Sequence, residues 1–139
     1  HWGLSPTYKG THTVRWPLLH EKPEWIGVTI HKLDRNLDTG PILYQAKPDL
    51  QTDWSYRHIE YSLTKLSYDI VPKAMEEVLS GKSDVVNQDL SEGKTYFSKE
   101  YTEECESKLN NEYVSKQIEN YLLNKNNLDK GVELINEWK

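Results

Sequence analysis

The chain has 139 residues, 28% of them charged and 36% hydrophobic, with a formal net charge of −5. That length suits one domain or part of one with a real core. No apolar run approaches the roughly eighteen residues of a spanning helix, and no basic segment followed by an apolar one marks a secretory signal. The acidic balance and the lack of a Lys/Arg stripe speak against binding nucleic acid through its phosphates. A single cysteine, Cys105, excludes an intrachain disulfide framework and suits a reducing, cytoplasmic setting.

Residues 1–24 hold three prolines, two glycines and three histidines with no clean period. They are expected to form a long ordered loop with a short helix near Thr13–His20. Trp25–Leu33 alternates and is rich in β-branched residues, which predicts a strand. The run from Asp34 to Pro41 is dense in turn formers, and Ile42–Ala46 reads as a second strand. Thr52 or Asp53 can cap a helix running to Leu79, because Ile59, Leu63, Leu66, Ile70, Ala74 and Val78 recur at spacings of three and four. Ser80-Gly81 supplies its stop, while Pro72 predicts a kink or a break. Beyond it, Val85–Gln88 and Thr95–Phe97 read as a hairpin around Ser91-Glu92-Gly93. The polar tail from Glu100 reads as two short amphipathic helices, one with Val114, Ile118, Tyr121 and Leu122, the other with Leu128, Val132 and Ile135. The expected divisions are 1–80, 81–99 and 100–139.

Two loops carry groups able to do proton chemistry, His1 in one and Asp38 in the other. An imidazole can donate a hydrogen bond to a developing oxyanion or shuttle a proton, and a nearby carboxylate can orient it and accept a proton. Taken alone, a histidine is more often structural, and the aspartate of Asp-Thr-Gly is more often a turn former. The five histidines show no His-Glu-x-x-His spacing, and one cysteine cannot build a structural zinc site, so no metal is expected. His12 and His31 read as structural.

The ordered motifs His1-x-Gly-Leu-Ser-Pro-x-Tyr-Lys-Gly10, Gly27-Val-Thr-Ile-His31 and Asp34-x-x-Leu-Asp-Thr-Gly40 resemble the folate-dependent formyltransferases. Those include the glycinamide ribonucleotide, methionyl-tRNA and nucleotide-sugar enzymes. The resemblance covers residues 1–48 most specifically and weakens beyond them; Gln88 and Tyr96 match a Gln…Thr-Tyr pattern loosely. It implies an α/β fold: the latter half of a Rossmann-like formyltransferase domain with a small helical tail. It implies His1 and Asp38 as catalytic residues and 10-formyltetrahydrofolate as co-substrate. Leu4, Ser5, Pro6, Asp34, Leu37, Thr39 and Gly40 then border the folate.

The family's catalytic Asn lies two residues before its histidine, ahead of residue 1, and its upstream parallel strands are absent too. The chain is therefore expected to need that upstream half or a complementary chain to act. The expected reaction is formyl transfer to a primary amine, with a small acceptor such as an amino-sugar nucleotide favoured over RNA. The alternative is a non-catalytic remnant serving as an assembly or interaction module.

Overall fold

The computed structural model describes residues 1–139. The opening loop contains a three-residue strand, Tyr8–Gly10 (β1), and a five-residue helix, Arg15–Leu19 (α1). Val28–His31 (β2) pairs antiparallel with Ile42–Ala46 (β3), Val28 opposite Ala46 and Ile30 opposite Tyr44. β2 is shorter than the alternation of residues 25–33 predicts. Pro23–Trp25 instead forms a 3-10 turn, for which proline's fixed φ at the first position is preorganised. The backbone N–H groups of His1 and Thr29 each donate to the other's carbonyl (3.1 and 2.8 Å), so His1 extends the sheet on the far side of β2.

Tyr56–Leu79 (α2) begins after Ser55, not at Thr52 or Asp53; the Ser55 N–H donates to His58 Nδ1 at 3.1 Å. Ile59, Leu63, Ile70 and Ala74 are buried, and the helix packs on β2 and β3. Pro72 neither breaks nor divides it. The carbonyl that loses its partner belongs to Tyr68, which is 76% exposed, so water can satisfy it and tertiary packing carries the helix through. No helix is long and apolar enough to cross a membrane.

The expected hairpin in residues 81–99 does not form. Val86 makes an antiparallel bridge to Ile42, and Lys94–Tyr96 (β4) pairs parallel with β1, Tyr8 opposite Lys94 and Gly10 opposite Tyr96. Three residues are too few to choose a partner by local turn chemistry, so distant backbone chooses instead.

Glu103–Lys108 (α3), Asn111–Leu123 (α4) and Lys125–Asp129 (α5) follow. Leu109, Val114, Ile118 and Tyr121 share one core with Ile26, Val28, Ile59 and Leu63. The second tail helix ends at Asp129, short of Val132 and Ile135, because the following backbone finds partners on β3. Ile135 N–H donates to Gln45 Oε1 and Trp138 N–H to the Gln45 carbonyl, both at 2.9 Å.

Asp129 pins this tail, accepting hydrogen bonds from Lys47 Nζ (2.5 Å), Lys125 Nζ (2.8 Å) and Tyr121 Oη (2.9 Å). Burial works to raise its carboxyl, but the bonds from Lys125, Lys47 and Tyr121 outweigh it and hold the group below its ordinary value. A depressed acid stabilises the fold above its unfolded value and stops doing so as pH falls through the folded one. Asp129→Asn is therefore expected to cost about 1 kcal/mol at neutral pH. The difference from the parent should shrink as pH falls below the ordinary carboxylate range and through the depressed folded-state value; urea unfolding at several pH values measures it.

Candidate active site

The Asp34–Gly40 loop links β2 to β3, and its own acids shape it. Asp34 accepts from Arg35 N–H (2.5 Å) and from Thr39 Oγ1 (3.3 Å). Asp38 follows with φ +57°, a left-handed conformation that costs roughly 1–2 kcal/mol for most side chains and that Asp and Asn visit most readily. This turn brings its carboxylate back to the opening loop. Oδ2 accepts from Gly10 N–H at 2.8 Å and lies 3.3 Å from His1 Nδ1; Oδ1 lies 3.5 Å from His31 Nε2. At Gly40 an added side chain would run into the Lys32 carbonyl and stand 3.2 Å from His31 Nδ1, so only glycine lets the loop pass this close.

The two imidazoles are held from behind. His1 Nε2 is 2.9 Å from the Tyr8 carbonyl, and His31 Nδ1 is 2.8 Å from the Lys32 carbonyl. A side chain at Gly3 would fall 2.7 Å from both His1 Nε2 and the Tyr8 carbonyl, which explains the glycine beneath the ring. Both nitrogens of each ring thus face oxygen atoms. The side chains of His1, His31 and Asp38 are 7%, 10% and 14% exposed, so the Asp38 carboxylate acts on its neighbours through a medium less screening than water. Such a carboxylate can take up a proton and a ring beside it can present one.

Lys9 is buried next to this cluster, its Nζ donating to the carbonyls of Pro6 (2.8 Å) and Glu92 (3.2 Å). Burial pushes its ammonium down, and the Asp38 carboxylate opposes that shift.

The structure thus brings together His1 and Asp38, the two residues singled out as catalytic. It adds His31, which the sequence reading set aside as structural. The signal lay in the strand: His31 and Thr29 share one face of β2, and Thr29 is the residue that pairs with His1. Of the seven residues expected to border the folate, Leu4, Ser5 and Pro6 line a recess of about 490 Å³ with Trp25, Gln45 and part of the tail. Asp34 and Leu37 are exposed, Thr39 is half-buried and Gly40 is buried. His1, His31 and Asp38 open on a separate groove of about 720 Å³, walled by Val71, Met75 and Leu79 of α2. His12 stacks on Tyr101 with ring centroids 4.2 Å apart.

A carboxylate thus lies between two imidazoles at one edge of a small α/β fold, an arrangement able to move protons; comparison with known proteins supplies the family. The family model described as "Formyl transferase" matches residues 1–75, and the chain belongs to that family. It is 33% identical over 78 residues to the methionyl-tRNA formyltransferase of Wolbachia sp. subsp. Drosophila simulans, a match covering 56% of this chain and 26% of the relative. The chain thus spans about a quarter of that curated relative's length.

Its fold is that of solved formyltransferases, whose domain is Rossmann-like. A 4-N formyltransferase from Francisella tularensis superposes with a TM-score of 0.64 at 24% identity, over 73% of this chain and 40% of that one. PseJ from Anoxybacillus kamchatkensis, solved with UDP-4,6-dideoxy-4-formamido-L-AltNAc and tetrahydrofolate, gives 0.63 at 24% identity, over 85% of this chain and 61% of that one.

Proposed function

We propose that the whole protein transfers a formyl group from 10-formyltetrahydrofolate to the primary amine of a small acceptor, such as an amino-sugar nucleotide. The observation that carries this reading is the Asp38 carboxylate held 3.3 Å from His1 and 2.8 Å from Gly10 N–H. In the reaction the amine nitrogen attacks the formyl carbon. His1 exchanges the bond from Nε2 to the Tyr8 carbonyl for one to the oxygen that becomes negative, and Asp38, oriented by His31, takes the proton the amine must lose. As the carbon–nitrogen bond to the folate breaks, His1 returns a proton to the departing nitrogen. Formamide and tetrahydrofolate leave, and the proton on Asp38 restores the cluster.

Ser5 Oγ is buried without a partner, whereas the carbonyls of Leu4, Ser5 and Pro6 already accept from Tyr8 N, Gln45 Nε2 and Lys9 Nζ. In this reading the Leu4–Pro6 loop borders one side of the folate and Asp34, Leu37, Thr39 and Gly40 border the other. The preference for a small acceptor over tRNA rests on the net charge of −5 and on the sugar nucleotide bound in PseJ.

The groove beside His31 supports a partner. Leu33, Met75, Val78 and Leu79 are exposed around it, an apolar edge-and-helix surface that calls for cover. In the enzyme reading the cover is the upstream half of the domain or a complementary chain. In a second reading, favoured by the same surface, the protein is a non-catalytic module that uses it for assembly. The full-length gene product incubated with 10-formyltetrahydrofolate and a 4-amino-sugar nucleotide decides between them. Formamide product by mass spectrometry is expected; its absence across amino-sugar, aminoacyl-tRNA and amino-ribonucleotide acceptors would remove the enzyme reading.

A further inference from the structure

The family match ends at residue 75, yet residues beyond it hold the site. Between α2 and α3 the chain crosses both site loops. Val86 bridges Ile42 at the exit of the Asp38 loop. Further on, Lys94 N–H donates to the Thr7 carbonyl (3.1 Å), Thr11 N–H to the Tyr96 carbonyl (2.9 Å), and Lys9 Nζ to the Glu92 carbonyl (3.2 Å). These contacts lace the opening loop.

Between them sits Gln88. Its Nε2 donates to the carbonyl of Asp38 at 2.9 Å and to that of Gly40 at 2.7 Å, across 50 and 48 residues of sequence. The amide cannot serve the other way round, because its oxygen would then face two carbonyl oxygens. Its Oε1 is left buried and unpaired. A side chain that gives up one polar partner to make two bonds to a single turn is placed for that turn. The turn is the one that holds Asp38 at φ +57°.

We infer that Gln88 is a positioning residue: it fixes the left-handed turn at Asp38 and so sets the distance from that carboxylate to His1. The segment 86–96 belongs to the active site although it lies outside the matched residues. Gln88 touches neither imidazole and acts through the Asp38 and Gly40 backbone alone. Part of the expected effect rests on the formyl-transfer reading above, so the test has a readout independent of it. Gly10 N–H, which donates to Asp38 Oδ2, reports where the carboxylate is.

Amide hydrogen exchange on the parent chain, Gln88→Leu and Gln88→Glu measures that reporter, with Val28 and Ile59 amides as internal controls for the fold. Exchange at Gly10 is expected to quicken roughly tenfold in both variants while the controls hold. Gln88→Glu keeps the size but presents oxygen where two carbonyls need a donor. In the full-length gene product kcat should fall about 100-fold, the scale of a misplaced catalytic group, with KM for 10-formyltetrahydrofolate within about twofold. Unchanged Gly10 exchange in a variant whose controls hold would overturn the assignment. A quickened Gly10 in a protein whose parent form transfers no formyl group would keep the positioning role and reject the transfer reading. If Gln88→Leu loses the control protection as well, Gln88→Asn, which keeps the amide on a shorter arm, decides. Parent-like exchange at Gly10 in that variant would likewise overturn the role, and selective quickening would support it.

Discussion

Asp38→Asn is expected to lower formyl transfer by about a thousandfold, within the range general acid–base groups contribute, while leaving the fold standing. Asparagine accepts the left-handed φ of +57° as readily as aspartate, and its Oδ1 can still take the hydrogen bond from Gly10 N–H. What disappears is the negative charge between His1 and His31 and the oxygen able to accept the amine's proton. The test is kcat in the full-length gene product, with thermal unfolding beside it. A shift in stability under about 1 kcal/mol with transfer lost is the expected pair of results. Transfer within about tenfold of the parent would remove Asp38 from the chemistry and leave it as a turn former.

Gln45→Leu should be the most destabilising polar substitution in the chain, by roughly 2–5 kcal/mol from the groups it strands. Gln45 is 2% exposed. Its Nε2 donates to the Ser5 carbonyl (2.7 Å) and to Thr29 Oγ1 (3.1 Å), and its Oε1 accepts from Ile135 N–H. Thr29 keeps other partners, Gly3 O and Ser5 N, but the Ser5 carbonyl and the Ile135 N–H lose theirs inside the protein. Urea unfolding gives the number. A loss below about 1 kcal/mol would mean that water reaches both groups. Gln45→Glu separates the two ends of the amide, because it keeps an acceptor for Ile135 and removes the donor for Ser5.

Both residues show what the sequence could and could not disclose. The β2 strand, the Asp34–Gly40 turn and the apolar stripe of α2 are written in local periods and turn formers, so they were legible. So was the His1–Asp38 pair, through the order of its motifs. Other features were not. β1 and β4 are three-residue strands that meet across more than eighty residues, and neither carries a pattern of its own. Gln88 showed only as a loose pattern match and Gln45 not at all, because each acts through a single amide group, for which a sequence offers no spacing rule. Pro72 misled in the other direction: its local penalty is real, but one unpaired carbonyl on a wet face is cheap beside the packing of Ile59, Leu63, Ile70 and Ala74. His31 was visible as a residue and hidden as a site member, since a strand position says which face a ring occupies and not what a later loop brings against it.

The bond from Ile135 to Gln45 has a meaning in time as well as in space. Protein synthesis delivers the opening loop before the tail, which follows more than a hundred residues later. Until Ile135 and Trp138 have emerged, Gln45 lacks the tail partners that cover β3, and the amide holding Ser5 stands open to water on that side. Helix α2 can form as soon as it leaves the ribosome, because its contacts begin within four residues of one another. The loops of the site settle only once the tail has closed over β3. A nascent chain arrested before Ile135 should therefore show a protected α2 and an unprotected Ser5–Gly10 segment, with the site maturing after the helix.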